Sequence, residues 1–438
     1  MFSYYLKLGW LSIRRNPLLS ALMVAAIAVG IGACMSIITV NYVMSGNPIP
    51  HKSDVLFYVQ LDSWDPNNQN DDGTFDVPDQ LTYTDAMALM KARKAYRQIA
   101  SNKSGVVIEP MSEEERPFSV VTRNTWADFF PMFDLKFLYG AGWDDVADRN
   151  LERVAVLSKE TNERVFGGED SIGRNVRMSG TNFRVVGVLE EFHPVPKFYD
   201  VTNGAFDDTE EVYIPFNVAV ELNLPRNGNT NCWKPWDGEG QEAFLNSECA
   251  WIQFWAELRN GEEKQAYMDF LDAYAMQQKE LGRFPRPLNN QLSDVMEWME
   301  KEEVVEDDAQ VMLGLSLLFL TVCLLNTIGL LLAKFLGKSQ DISLRRALGA
   351  SKATLFVQHM IESGLIGFAG GILGLGLAWL GLRGIEMLFG DQVENLVGMD
   401  WVMVLTAIML AIVSALLAGL YPTWRACSIT PAEQLKLQ

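Results

Sequence analysis

Gln340–Gly367, QDISLRRALGASKATLFVQHMIESGLIG, opens as a short basic segment and runs into an apolar one. Ile342, Leu344, Leu348 and Leu355 are its apolar positions. Lys338, Arg345, Arg346 and Lys352 are the basic ones in and beside it. The first part is too short to be a domain, and its pattern is helical. Lying across a membrane surface, such a helix would expose a face for something else to read.

Four apolar runs surround this segment. Leu18–Met44 carries no charge, and Val311–Phe335, Leu355–Leu382 and Trp401–Trp424 follow. At ~1.5 Å per residue each can cross a hydrocarbon core of ~30 Å. The first exceeds the ~7–15 apolar residues of a cleaved leader, so a retained anchor is expected. Ahead of it, residues 1–17 mix aromatic and aliphatic residues with Lys7, Arg14 and Arg15, the pattern of an interfacial amphipathic helix. The third run carries Gly364, Gly367, Gly370, Gly371, Gly374 and Gly376, small residues that allow close helix approach in lipid.

The charge is unevenly placed. Net charge is −19 over 438 residues, but residues 45–310 hold 48 Asp and Glu against 25 Lys and Arg, leaving the remainder at +4. An acidic polar domain on a slightly basic membrane part fits this balance. Nucleic acid is not an expected partner, because it wants basic surfaces. Lys and Arg gather at the N-terminus, in the loop around Lys338–Lys352 and in the tail at Arg425 and Lys436. The 383–400 loop is acidic. Positive loops face inward, so both termini and the 337–354 loop are expected in the cytoplasm, and 45–310 outside it.

The large segment reads as folded and mixed α/β. Strand patterns cover 55–61, 154–157, 183–189, 212–215 and 251–258; helical patterns cover 84–100, 160–165 and 262–281. Residues 292–310 read as an acidic helical stalk continuing into the second span. Cys232 and Cys249 are the two cysteines of this segment, and a disulfide between them is expected in an oxidising compartment.

Several chemistries lack support. There is no GxxxxGK[ST] loop, HExxH or GxSxG. His51, His193 and His359 show no ligand spacing. Asn68, Asn70, Asp72, Gly73 and Asp79 approach a calcium-loop pattern, but the closing Glu and flanking helices are missing, so a solvated acidic loop is expected and no metal site. Glu302, Glu303, Glu306, Asp307 and Asp308 read as a solvated helix face. Glu362 is the acidic residue well inside an apolar run. It is close enough to the span's end to reach the interface, and His359 one turn away can pair with it. No intramembrane chain of charges marks an ion path. Thr430, Pro431 and Glu433 form a helix-start pattern in the tail.

Four stretches together resemble the MacB/FtsX family of ABC transporter permeases: YYLKLGWLSIRRNPLLSAL, VAVLSKETNERVFGGEDSIGRNVRMSGTNFRVVGVLEEF, DISLRRALGASKATLFVQHMIESGLIGFAGGILGLGLAW and AGLYPTWRACSITPAEQLK. Pro225–Cys249 has no counterpart and reads as an insertion. The resemblance implies a polytopic α-helical protein of four transmembrane helices, with a large mixed α/β extracytoplasmic domain between helices 1 and 2. The expected layout is an interfacial helix at 1–17, spans at 18–44, 311–336, 355–382 and 401–424, a coupling loop at 337–354, an outer loop at 383–400 and a tail at 425–438. Within 45–310 it implies two subdomains, about 45–120 with 250–295, and 121–249 inserted between them.

The implied mechanism is mechanotransmission in the bacterial inner membrane. Asp341, Ile342, Leu344, Arg345, Arg346, Leu348 and Gly349 would seat in a separate ATPase dimer. That subunit would bind ATP and Mg, leaving no cofactor and no enzymatic role for this chain. A second copy or a sister permease would complete the pair among membrane lipids, with an adaptor and outer-membrane channel as further partners. Export of antibiotics or peptides is the expected use and lipoprotein release the alternative. A membrane-anchored sensor or scaffold independent of any ATPase is the reading from another class; an ectoenzyme has no motif behind it.

Overall fold

The computed structural model describes residues 2–70, 72–109, 116–304, 307–389 and 401–428. Two compact units result. One joins residues 1–45 to 305–438, and the other is 46–304.

The first unit is helical. It starts with α1 (Phe2–Arg15) and α2 (Pro17–Met44), separated by Asn16, with Pro17 opening the second helix. Proline is favoured there because its missing N–H is one the first turn leaves unpaired anyway. Its remaining helices are the last four among the described residues. Four helices of the described residues are long and apolar enough to cross a membrane: 17–44, 311–336, 352–384 and 404–428. The 390–400 loop and the Thr430, Pro431 and Glu433 helix start lie outside the described residues.

The second unit is α/β. Its chain order begins β1 (Leu56–Gln60), β2 (Leu81–Thr82), α3 (Tyr83–Ala92), β3 (Arg97–Glu109), β4 (Phe118–Thr125) and α4 (Phe129–Met132). Then come β5 (Phe137–Gly140), α5 (Asp145–Asn150), β6 (Val154–Leu157), α6 (Lys159–Phe166), β7 (Asn175–Met178) and β8 (Thr181–Leu189). After a 3-10 turn at Phe198–Asn203 follow β9 (Val212–Pro215), α7 (Phe216–Glu221), β10 (Arg226–Asn227), β11 (Asn231–Cys232) and α8 (Gly240–Leu245). It closes with β12 (Cys249–Glu257), α9 (Gly261–Glu280), β13 (Gln291–Asp294) and α10 (Val295–Lys301).

The strands form one sheet whose spine runs β13-β1-β12-β3-β4-β9-β6-β8-β5. Most neighbours are antiparallel; β4–β9 and β6–β8 are parallel. All nine residues of β12 are buried, Gln253 and Glu257 included, which explains why 251–258 is mostly apolar rather than alternating. Alternation on β1 sends Leu56 and Tyr58 to one face and Phe57 and Val59 to the other. The first face is one aromatic core along the sheet, where Tyr58 stacks on Trp298 at 3.8 Å. The opposite face divides. Tyr267 and Leu271 of α9 cover the β1/β12 half, while Phe166 of α6 and Val218 of α7 cover the β6/β8/β9 half. Strand β3 contributes to both halves, with Ala100 in one and Val106 and Ile108 in the other.

Cys232 and Cys249 sit directly opposite each other on β11 and β12 and are joined by a disulfide across a separation of 17 residues. In the loop-entropy account, closing a loop of this size stabilises by ~3 kcal/mol.

Two expectations are corrected here. The helix read over 84–100 stops at Ala92, because Arg93 takes a left-handed conformation (φ 47°) that ends it, and 97–109 pairs with β12 and β4 instead. The 292–310 stalk is not continuous. Residues 291–294 are strand, 295–301 a capped helix, and Glu303 (φ 49°) turns the chain before the next helix. Asp294 caps α10 in a reciprocal box with Glu297, which isolates it as a separate short helix.

The helical unit resumes with α11 (Asp307–Leu336), α12 (Ser339–Ala347), α13 (Lys352–Phe389) and α14 (Trp401–Ser428). The glycines of α13 divide by face. A Cβ on Gly370 or Gly374 would lie 2.6 or 3.0 Å from Ile27 or Ile31 of α2. On Gly367 or Gly371 it would meet Ala415 or Ala411 of α14 at 2.4 or 2.9 Å. Gly364 and Gly376 have room.

Candidate functional site

The segment quoted first forms α12 between two built stops. Gly349 (φ 99°) ends it: its N–H donates to Arg346 O and the Ala350 N–H to Arg345 O, at 3.1 and 3.0 Å. Those two bonds satisfy orphan carbonyls of the last turn, and the left-handed conformation favours glycine. Ser351 Oγ then accepts from the Thr354 N–H (3.1 Å), starting α13. The letters LGASKAT are thus a helix stop followed by a helix start.

The apolar residues of α12 point two ways. Ile342 is buried with Phe335 and Leu355. Leu344 is 62% exposed and Leu348 80%. Asp341 and Arg345 are exposed and Arg346 half-buried; Arg345 Nη1 donates to Gln358 Oε1 of α13 at 3.2 Å. One isoleucine therefore anchors the helix while two leucines stay uncovered. Large leucines left in water on so short a helix are a docking signal only in company with further observations, since single exposed apolar residues are ordinary.

Behind α12 lies a polar knot of which sequence reading found only Glu362 and His359. Glu362 Oε1 is 2.7 Å from Lys334 Nζ of α11 and accepts from Ser12 Oγ of α1. Lys334 also donates to Ser20 Oγ of α2 (3.0 Å), and Lys338 donates to Ser12 Oγ. His359 Nδ1 stands 3.6 Å from Glu362 Oε2. Glu362 is 1% exposed, so it does not reach out to an interface; it ties α1, α11 and α13 together inside the bundle. Two hydrophobic runs that look independent in sequence exchange a charge pair, and the pairing distance of 28 residues carries no local signal. These groups form a closed knot at the α12 end of the bundle rather than a chain of charges along it. Such groups in a span are costly unless paired.

The α/β unit carries its own charged features. Arg123 of β4 is fully buried and its Nη2 donates to both Asp200 and Glu210. Lys103 is 3.4 Å from Asp200 and Lys197 3.7 Å from Glu210; Gln253 of β12 donates to Asp200 at 2.9 Å. Burial alone would raise Glu210, but Arg123 and Lys197 overcome it and hold the carboxyl down at about 2. The knot joins strands of both halves of the sheet.

A cavity of about 660 Å³ on this unit is lined by Asp128, Asp134, Asp144 and Asp145 with Lys52 and Arg97. Asp148 sits behind it, accepting from Ala127 N–H and Trp143 Nε1, both at 2.8 Å. Burial nonetheless pushes its carboxyl up to about 7. A carboxyl raised in the native state stabilises below its ordinary value and loses that contribution as pH rises to about 7. The thermal stability of the whole chain should therefore fall between about pH 4 and pH 7. Asp148→Asn should flatten that slope at the loss of one accepted bond. A slope identical in the variant would assign the effect to other groups.

The calcium-like loop is used internally: Asp72 Oδ1 accepts from Thr74, and Asn70 donates to Asp76. Among the described residues no group of His, Cys, Asp and Glu is arranged to hold a metal.

Comparison with known proteins agrees with this architecture. Residues 20–274 match the MacB-like periplasmic core domain, and residues 313–431 match the FtsX-like permease C-terminal family. A Bacillus subtilis chain named as an uncharacterized ABC transporter permease, YknZ, is 20% identical over 99% of this chain and 98% of its own length. The macrolide export ATP-binding/permease protein MacB of Chlorobium luteolum is 22% identical over 66% of this chain. This chain spans only 38% of that relative's length. The periplasmic region of MacB from Actinobacillus actinomycetemcomitans aligns over 59% of this chain and 96% of that region, at 12% identity and a TM-score of 0.36. Four candidate spans, a mixed α/β domain between the first and second, and two family matches covering both units lead to one conclusion: the chain belongs to the MacB-like, FtsX-like family of ABC transporter permeases, multi-pass membrane proteins with a periplasmic core domain.

Proposed function

We propose that this chain is the permease subunit of an inner-membrane exporter that receives its stroke from a separate cytoplasmic ATPase through α12. The observation that carries the reading is the division on that helix: Ile342 holds it to the bundle while Leu344 and Leu348 remain uncovered. A leucine pair flanked by Asp341, Arg345 and Arg346 suits a groove on a protein surface, with apolar anchors and a charged rim. The helix is also mechanically tied. Lys338, one residue ahead of it, bonds Ser12 of α1, and Arg345 bonds Gln358 of α13, so force on α12 passes directly to those helices. Both termini then face the cytoplasm, with the ATPase dimer binding ATP and Mg beneath a pair of permeases.

The relative named for macrolide export supports antibiotics or similar compounds as cargo; an adaptor and outer-membrane channel would complete the path. The test is a gentle-detergent pull-down of the full chain, with co-purifying proteins identified by mass. An ATPase subunit with an adaptor is the expected result. An ATPase with a lipoprotein would replace export by lipoprotein release. A well-folded sample free of any ATPase would overturn the reading in favour of a sensor or scaffold.

A further inference from the structure

On the side of α12 away from its exposed leucines, a cavity of about 350 Å³ opens between α1, α12 and α13. Arg14 and Arg15 of α1, Lys338 and Arg345 line it, against the carboxylates of Asp341 and Glu362. Glu362 is already shared by Lys334 (2.7 Å), Lys338 (3.8 Å) and Ser12, so Arg14, Arg15 and Arg345 face Asp341 as the remaining carboxylate. Burial lowers the pKa of the Lys338 amine; Glu362 works against that shift, and the positive charges of Lys334 and Arg15 add to it. The site is built for an anion and is short of one.

The surroundings select the kind of anion. Leu8 and Leu11 of α1 also line the cavity, and Tyr4 and Trp10 of the same helix are more than half exposed. Arg14 rests on the Trp10 ring at 5.3 Å. Aromatic and aliphatic side chains beside guanidinium groups are the arrangement found at a membrane–water interface. A phosphate carried on acyl chains satisfies both parts, whereas a free phosphate satisfies only the cations. Basic cavities between membrane helices hold anionic headgroups for this reason.

We propose that the cavity between α1, α12 and α13 binds the phosphate headgroup of an anionic phospholipid, which holds α12 against the bundle from behind. The headgroup joins three helices that otherwise meet there through Ser12, Lys338, Arg345 and Gln358. The binding itself does not depend on an ATPase.

Native mass spectrometry of the full chain in neutral detergent tests this, with phosphatidylglycerol or phosphatidylcholine added and no ATPase present. Wild type is expected to retain phosphatidylglycerol and not phosphatidylcholine. Arg14→Gln with Arg15→Gln should weaken retention about thirtyfold, from roughly fivefold for each basic residue near an anionic headgroup. Asp341→Asn removes the opposing carboxylate and should strengthen it, so the proposal remains testable if the arginine variant does not fold. Equal retention of the two lipids, or phosphatidylglycerol retention unchanged in both variants, overturns the site. Protection from thermal unfolding by inorganic phosphate equal to that by phosphatidylglycerol overturns the lipid as occupant and leaves a free anion in its place.

Discussion

Arg123→Met is expected to destabilise the α/β unit by roughly 3–5 kcal/mol, the usual cost of removing one partner from a buried charge network. Methionine keeps most of the volume, so the loss is electrostatic. Asp200 and Glu210 both accept from the same guanidinium nitrogen, and without it two carboxylates face each other in the core. Lys103 and Lys197 stand 3.4 and 3.7 Å away and soften the loss without replacing those bonds. The pH dependence has a definite sign. Glu210 is held below its ordinary value, so its contribution is present above about 4.5 and disappears as pH falls toward about 2. Thermal unfolding followed by tryptophan fluorescence across that range should show wild type and variant converging in acid. A variant as stable as wild type at pH 7 would mean the knot contributes nothing net.

The second large effect is expected in the helical unit. Glu362→Leu leaves Lys334 fully buried without its counter-charge, and Ser12 and Lys338 lose the group around which they are arranged. A loss of roughly 3 kcal/mol or more follows from stranding a buried charge. The double variant Lys334→Met with Glu362→Leu should recover most of it, because replacing a whole buried pair by apolar residues is far cheaper than breaking it. Melting of the detergent-solubilised chain measures both. A double variant no better than Glu362→Leu would show that Glu362 acts through something other than Lys334.

These two knots mark the limit of sequence reading in this protein. Local signals were legible. Gly349 and Ser351 bracket α12 and α13, the spans declare themselves by length, and Val154–Leu157 and Val212–Pro215 match their strands. What failed were features set by distant partners. Arg97–Ala100 looks helical beside α3, yet it is strand because β12 and β4 pair with it. Gln291–Asp294 looks like the start of a helix, yet it lies along β1. Lys334 and Glu362 occur on separate apolar runs, and Arg123, Asp200 and Glu210 are spread over 88 positions of an acidic segment where any one charge looks solvated. Glycine spacing on α13 was visible, but its assignment to two partners, Ile27 and Ile31 on one side and Ala411 and Ala415 on the other, required the helices in place. For the candidate site, the sequence identified α12 and its polarity. It did not show which of its apolar residues is held and which are free.

That last distinction carries the functional account. Ile342 is the anchor, so changing it would unseat the helix and confuse folding with coupling. Leu344 and Arg345 are exposed, and apart from the exposed Arg345–Gln358 bond their substitution leaves the buried contacts of the bundle intact. The most direct measurement is the rate of ATP hydrolysis by the partner ATPase, reconstituted with this permease carrying Leu344→Asp or, separately, Arg345→Glu. The account predicts that both variants fold and insert as wild type does and that both abolish stimulation of the ATPase. Full stimulation by both would contradict the assignment of α12 as the element that couples the two subunits.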